Sequence, residues 1–136
     1  MRTLFTALSL GMPTSIAVAG VSHAQSSPET VIQSQLDAFK IDDFEQAFTF
    51  ASPFIQRMFG TPERFGAMVK SGYPMVWRPD TVAFLSREEV GATVKQRVMI
   101  TDARGAFHIL EYEMVNLQDL WKINGVRILS AGGMGA

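Results

Sequence analysis

The residues of this chain that could do chemistry are few, and they fall in two places. His108 is the candidate general base, and Gln96 and Tyr112 are polar residues on strand-like segments whose neighbouring inward positions are apolar. Upstream, the stretch "KSGYPMVWRPDTVAF" (residues 70–84) sets Tyr73, Trp77 and Arg78 around two prolines. A tyrosine and a tryptophan make an amphipathic wall, and a guanidinium makes an anion clamp. Tyr73, Trp77, Arg78, Gln96, His108 and Tyr112 therefore form a candidate ligand-binding set, with Trp77, Gln96, His108 and Tyr112 expected to converge on one space and Tyr73, Trp77 and Arg78 forming its rim. The plain alternative is that Trp77 plugs the core and Arg78 braces a helix end. Asp42 and Asp43 invite an acid–base reading too, but capping of a helix uses acids at such a junction.

Composition narrows the chemistry further. There is no cysteine, hence neither a thiolate nucleophile nor a sulfur-ligated metal. Two histidines, His23 and His108, cannot build a histidine-rich metal site in one chain, and no cofactor is implied. Twelve basic residues against 13 acidic ones leave a net charge of −1 without a basic run, which argues against nucleic acid. Residues 1–24 read as a signal peptide: Arg2, an apolar run from Leu4 to Val21 broken by Gly11 and Pro13, then Ser22-His23-Ala24. Cleavage after Ala24 leaves residues 25–136 as a single periplasmic or secreted domain with no membrane association. Without disulfides such a domain must rely on packing.

The elements that must position these residues divide into halves. Ser27-Pro28, Ser52-Pro53 and Thr61-Pro62 each predict a helix start, because the hydroxyl accepts an unpaired N–H and proline has none to lose. The first helix should run from Pro28 to Ile41, with Ile32, Leu36 and Phe39 on its apolar stripe. Asp42 should cap a second helix, with Glu45 completing a capping box, burying Phe44, Ala47, Phe48 and Ala51. "PFIQRMF" should end at Gly60, and "PERFGAMVK" near Gly72 as a left-handed C-terminal residue. Pro74 and Pro79 favour extended neighbours, so "PMVWRP" reads as a short edge strand, with Met75 and Trp77 on one side and Val76 and Arg78 on the other.

Four strands follow: Val82 to Arg87, Ala92 to Thr101, Ala106 to Asn116 and Leu120 to Leu129. The turn "DARG" suits a type I turn with a glycine bulge and pairs Asp102 with Ala106. Arg97 then faces Glu111 and Lys95 faces Glu113 on the outer surface, as opposite charges should. Val94, Gln96, Val98, Ile100, His108, Leu110, Tyr112 and Met114 point inward. In that register no acid shares the inner face with His108. Asn124-Gly125 is expected to bulge one bent strand rather than turn between two.

The succession "FASP…FGTPERF…GYP" within residues 32–79, followed by strands ending "WKINGV", resembles the bacterial family called domain of unknown function 4864. That resemblance implies a nuclear transport factor two-like α+β fold (also called SnoaL-like or cystatin-like): helices packed on a strongly curved antiparallel sheet, with a cavity between. It brings no established activity. The expectation is a binding or interaction module taking a small apolar or anionic molecule. The alternatives are a small lyase, isomerase or hydrolase using His108 with Tyr112 and Arg78, and a homodimer through the outer sheet face.

Overall fold

The computed structural model describes Gly11 and residues 27–132, so the signal segment and its cut after Ala24 lie outside the described residues. Five helices precede four strands: α1 (Pro28–Lys40), α2 (Phe44–Thr49), α3 (Pro53–Phe59), α4 (Pro62–Gly72), α5 (Pro74–Trp77), β1 (Thr81–Val90), β2 (Thr93–Thr101), β3 (Phe107–Leu117) and β4 (Leu120–Gly132). The three Ser/Thr-Pro starts all hold. The hydroxyls of Ser27, Ser52 and Thr61 accept the N–H groups of Thr30, Ile55 and Arg64.

The first helix stops differently from the sequence expectation. Asp42 takes a left-handed backbone (φ 58), the N–H of Asp42 reaches Phe39 O at 3.0 Å, and that of Asp43 reaches Ala38 O at 2.9 Å. This is a Schellman stop, with aspartate in the place glycine usually holds. Asp43, not Asp42, then caps α2, accepting the N–H of Gln46 rather than pairing with Glu45. Ala47 is buried in α2, Phe44 and Phe48 only partly, and Ala51 lies past the helix in a bridge to Ile123. Gly60 does end α3 with a positive φ of 82, where a side chain would be strained. Gly72 is the last residue of α4 rather than a left-handed cap.

The sheet is an antiparallel meander, β1-β2-β3-β4. Gly105 at φ 84 closes the β2–β3 turn, and the expected register holds along it, with Lys95 opposite Glu113 and Arg97 opposite Glu111. Glu111 points to the outer surface, where Arg127 (2.7 Å) and Arg97 (3.5 Å) close over its carboxylate and hold it below the ordinary carboxylate range. Irregularities between Phe84 and Arg87, Ile109 and Leu110, and Glu113 and Met114 bend the sheet around the helices. The last of these is the expected bulge at Asn124. It joins the two halves: Ile123 exchanges backbone bonds with Phe50 O (2.9 Å) and Ser52 N (2.8 Å), and Ser52 Oγ donates to Asn124 Oδ1 at 2.7 Å. The core lies between, on Ile32, Leu36, Phe39, Val98, Ile100, Leu110 and Met114.

Candidate functional site

The segment expected to be an edge strand is the helical turn α5, from Pro74 to Trp77. Proline at its first position has a pre-set φ and no donor to lose, so the same residue that disfavours helix before it starts one. Consequently Met75 and Val76 are both buried, and the expected alternation of Met75 with Trp77 against Val76 with Arg78 does not occur. The turn separates two concavities. Tyr73 and Val76 line one of them, and Pro74, Met75 and Arg78 line the other.

The first is an apolar cavity of about 200 Å³ between helices and sheet. Ile55, Met58 and Phe59 of α3 and Phe65, Met68 and Val69 of α4 form one wall, and Ile123, Gly125 and Val126 of β4 form the opposite one. Phe65 is the hub of the aromatic packing, with ring centroids of Phe39, Phe48 and Phe59 at 5.9, 5.4 and 5.8 Å. Two polar side chains reach the lining. Gln35 Nε2 donates to Ala47 O at 3.1 Å, and Tyr73 OH donates to Val126 O at 3.1 Å. The single donor of Tyr73 is thus engaged and its hydroxyl is left as an acceptor, whereas Gln35 keeps its second N–H as well as its carbonyl oxygen.

The second is an open cleft of about 310 Å³ between α5 and the β2–β3 turn, lined by Pro74, Met75, Arg78, Asp102, Ala103, Arg104 and His108. His108 has the acid partner that the inner-face alternation did not provide. Its Nε2 lies 3.0 Å from Asp102 Oδ2. Asp102 Oδ1 accepts the backbone N–H groups of Arg104 (2.9 Å) and Ala106 (3.1 Å), and these bonds, led by the one to His108, hold its carboxyl below the usual range. The partner comes from the turn itself, six residues from His108, while Asp42 and Asp43 are engaged elsewhere. The motif that closes the hairpin also orients the imidazole.

The six residues picked from sequence are therefore dispersed. Tyr73 enters the apolar cavity, and Arg78 and His108 enter the open cleft. Trp77 stacks under Arg78, 4.2 Å from the guanidinium carbon to the ring centroid, and donates its indole N–H to Asp42 Oδ1 at 2.8 Å. Arg78 also donates to Asp42 Oδ1 (3.0 Å) and to Phe39 O (2.6 Å), which locks α5 against the end of α1 and lowers the Asp42 carboxyl, the Trp77 bond being the larger cause. Gln96 spans the β1 irregularity, donating to Leu85 O and Arg97 O, both at 3.0 Å. Tyr112 is fully buried, its hydroxyl has no protein partner, and burial with Tyr73 nearby raises its phenol well above the ordinary value. Of the cavity lining, Phe39 was legible as core, while Gln35, Phe59 and Phe65 were not singled out, because helical periodicity marks which face is inward and not where packing leaves a gap. Among the described residues no group of three or more metal-ligating side chains is found, and no helix is long and apolar enough to cross a membrane.

The chain matches one family by sequence. The family described as Domain of unknown function (DUF4864) covers residues 22–136. The chain belongs to this family. Solved structures agree on the architecture of this DUF4864 protein. RPA3114, a SEC-C motif containing protein from Rhodopseudomonas palustris, superposes with a TM-score of 0.58 at 16% identity, over 77% of this chain and 80% of that one. A variant of Rd1NTF2_05, an NTF2-like designed protein, gives 0.52 at 16% identity, over 74% of this chain and 94% of its own. At such identity the likeness carries the NTF2-like α+β fold and nothing about activity. No curated protein matches the sequence.

Proposed function

We propose that this DUF4864 domain is a binding module for a small, largely apolar molecule with one or two rings and a single N–H or O–H donor. The observation that carries the reading is the cavity of about 200 Å³ walled by aromatic and aliphatic side chains. Apolar cavities of roughly 150 Å³ stay dry and take up benzene, whereas pockets for drug-sized ligands begin near 300 Å³, so the size fits one or two rings. The donor on the ligand follows from Tyr73, whose own donor is held by Val126 O so that its hydroxyl can only accept. Binding is favoured over catalysis in this cavity because its lining is apolar apart from Gln35 and Tyr73, an amide and a phenol that do not make an acid–base pair. In this reading the domain works after export, as the character of residues 1–24 suggests.

Indole and naphthalene, followed by calorimetry and thermal melts, test the proposal. Indole should bind saturably and raise the melting temperature, and naphthalene should bind more weakly for want of a donor. Ala51→Phe places a ring into the cavity from its β4 side and should remove both responses while the protein stays folded. Indole binding undiminished in Ala51→Phe would refute the site, and absence of saturable binding by either compound would refute the reading.

A further inference from the structure

The open cleft on the other side of α5 offers a different chemistry from the cavity. We propose that it is a second ligand site, for a small organic carboxylate with an apolar body, and that it fills together with the uptake of one proton by His108.

The walls suit such a ligand in two parts. Pro74, Met75 and Ala103 supply apolar surface, and Arg78, Arg104 and His108 supply the groups for an anion. Arg78 is pre-positioned by its bonds to Phe39 O and Asp42 and by its stack on Trp77, so little side-chain entropy is lost when it meets a ligand. Arg104 is exposed at the turn and forms no ion pair among the described residues. The apolar surface argues for a carboxylate on a hydrocarbon body over inorganic phosphate, which would leave it unused.

The coupling to a proton follows from the charges. His108 is faced by Asp102 and Arg104 from the turn and by Arg78 from the end of α5, with Asp42 behind Arg78. Its neighbours across the sheet, Ile100 and Ala131, are uncharged. The two arginines and two aspartates that border the cleft cancel, and Lys70, over the Trp77 ring, acts on Asp42 without lining the cleft, so with neutral imidazole the cleft has little field to hold an anion. Asp102 engages Nε2, which leaves Nδ1 as the nitrogen free to meet a ligand. A neutral ring whose Nε2–H faces Asp102 presents a lone pair at Nδ1 and repels a carboxylate. A protonated ring presents an N–H there and adds the missing charge.

The test is a benzoate titration of the full chain, read by the ring resonances of His108 in NMR and assigned by their loss in His108→Gln. A histidine ordinarily changes charge between about pH 5 and 8, and a coupling of about 1.4 kcal/mol between proton and anion makes affinity about tenfold higher at the acid end than at the alkaline end. Benzoate should shift the His108 resonances saturably near pH 5.5 and bind about tenfold more weakly near pH 8. Arg104→Gln, at an exposed position, should weaken binding at acid pH and leave the fold intact. Benzyl alcohol, which lacks the charge, should leave His108 unmoved. Benzoate that does not perturb His108, affinity that is independent of pH, or inorganic phosphate that binds as well as benzoate would each overturn the proposal. Because the readout is His108, which does not line the apolar cavity, failure here is separate from failure of indole binding there.

Discussion

The two sides of α5 are built on opposite principles. Towards Tyr73 and Val76 lies a half-open space lined by rings and aliphatic chains from four helices and β4. Towards Met75 and Arg78 lies a cleft whose shape depends on single hydrogen bonds: Arg78 to Phe39 O and Asp42, and His108 to Asp102. Dispersion and burial are non-directional and shared among many atoms, so the apolar side is stabilised collectively. The polar side is fixed atom by atom, so one substitution can change its geometry while leaving most of the core in place.

The largest effect should come from the apolar side. Phe65→Ala removes the hub ring of the aromatic packing and should cost about 3–5 kcal/mol in denaturant unfolding. It should also abolish the indole response while leaving the His108 resonances in place. A loss below about 1 kcal/mol would mean that the rings of Phe39, Phe48 and Phe59 do not depend on Phe65.

A smaller loss is expected on the other side. Arg78→Ala removes the charged donor to Phe39 O and should cost about 1–3 kcal/mol. Freed of its stack, Trp77 should lose near-ultraviolet ellipticity. Indole binding should persist, because Arg78 does not line the apolar cavity. Loss of indole binding in Arg78→Ala would show that α5 cannot hold one side without the other.

The smallest effect, and one of opposite sign, belongs to Tyr112. Its hydroxyl is buried without a protein partner, so Tyr112→Phe should leave stability unchanged or raise it by up to about 1 kcal/mol. A loss of about 1–3 kcal/mol would place a bound water or ligand group on that hydroxyl.

Much of the fold was legible because its signals are local. A hydroxyl followed by proline starts a helix whatever surrounds it, and Asp102 with Gly105 sets a turn whose geometry fixes each inward and outward residue of β2 and β3. The family resemblance, carried by "FASP…FGTPERF…GYP", is likewise a property of the chain, and the match over residues 22–136 agrees with it. The errors fall where two local rules compete. Pro74 disfavours helix before itself and favours it after, and the tertiary seat of Met75 and Val76 in the core decided for a helical turn. Asp42 and Asp43 are equivalent caps on paper. The Schellman stop used the first and left its carboxylate for Trp77 and Arg78, 35 and 36 residues away.

The candidate sites lie beyond what the sequence determined. Alternation determined that Gln96, His108 and Tyr112 face inward, but facing inward does not mean facing one another's space. On a sheet this bent, Gln96 is taken up by the β1 irregularity, Tyr112 is covered, and His108 reaches the open end beside its own turn. Only the tertiary structure decided this. Secondary structure is set by interactions within a few residues, whereas a cavity is the volume that packed elements fail to fill, and that volume depends on all of them at once.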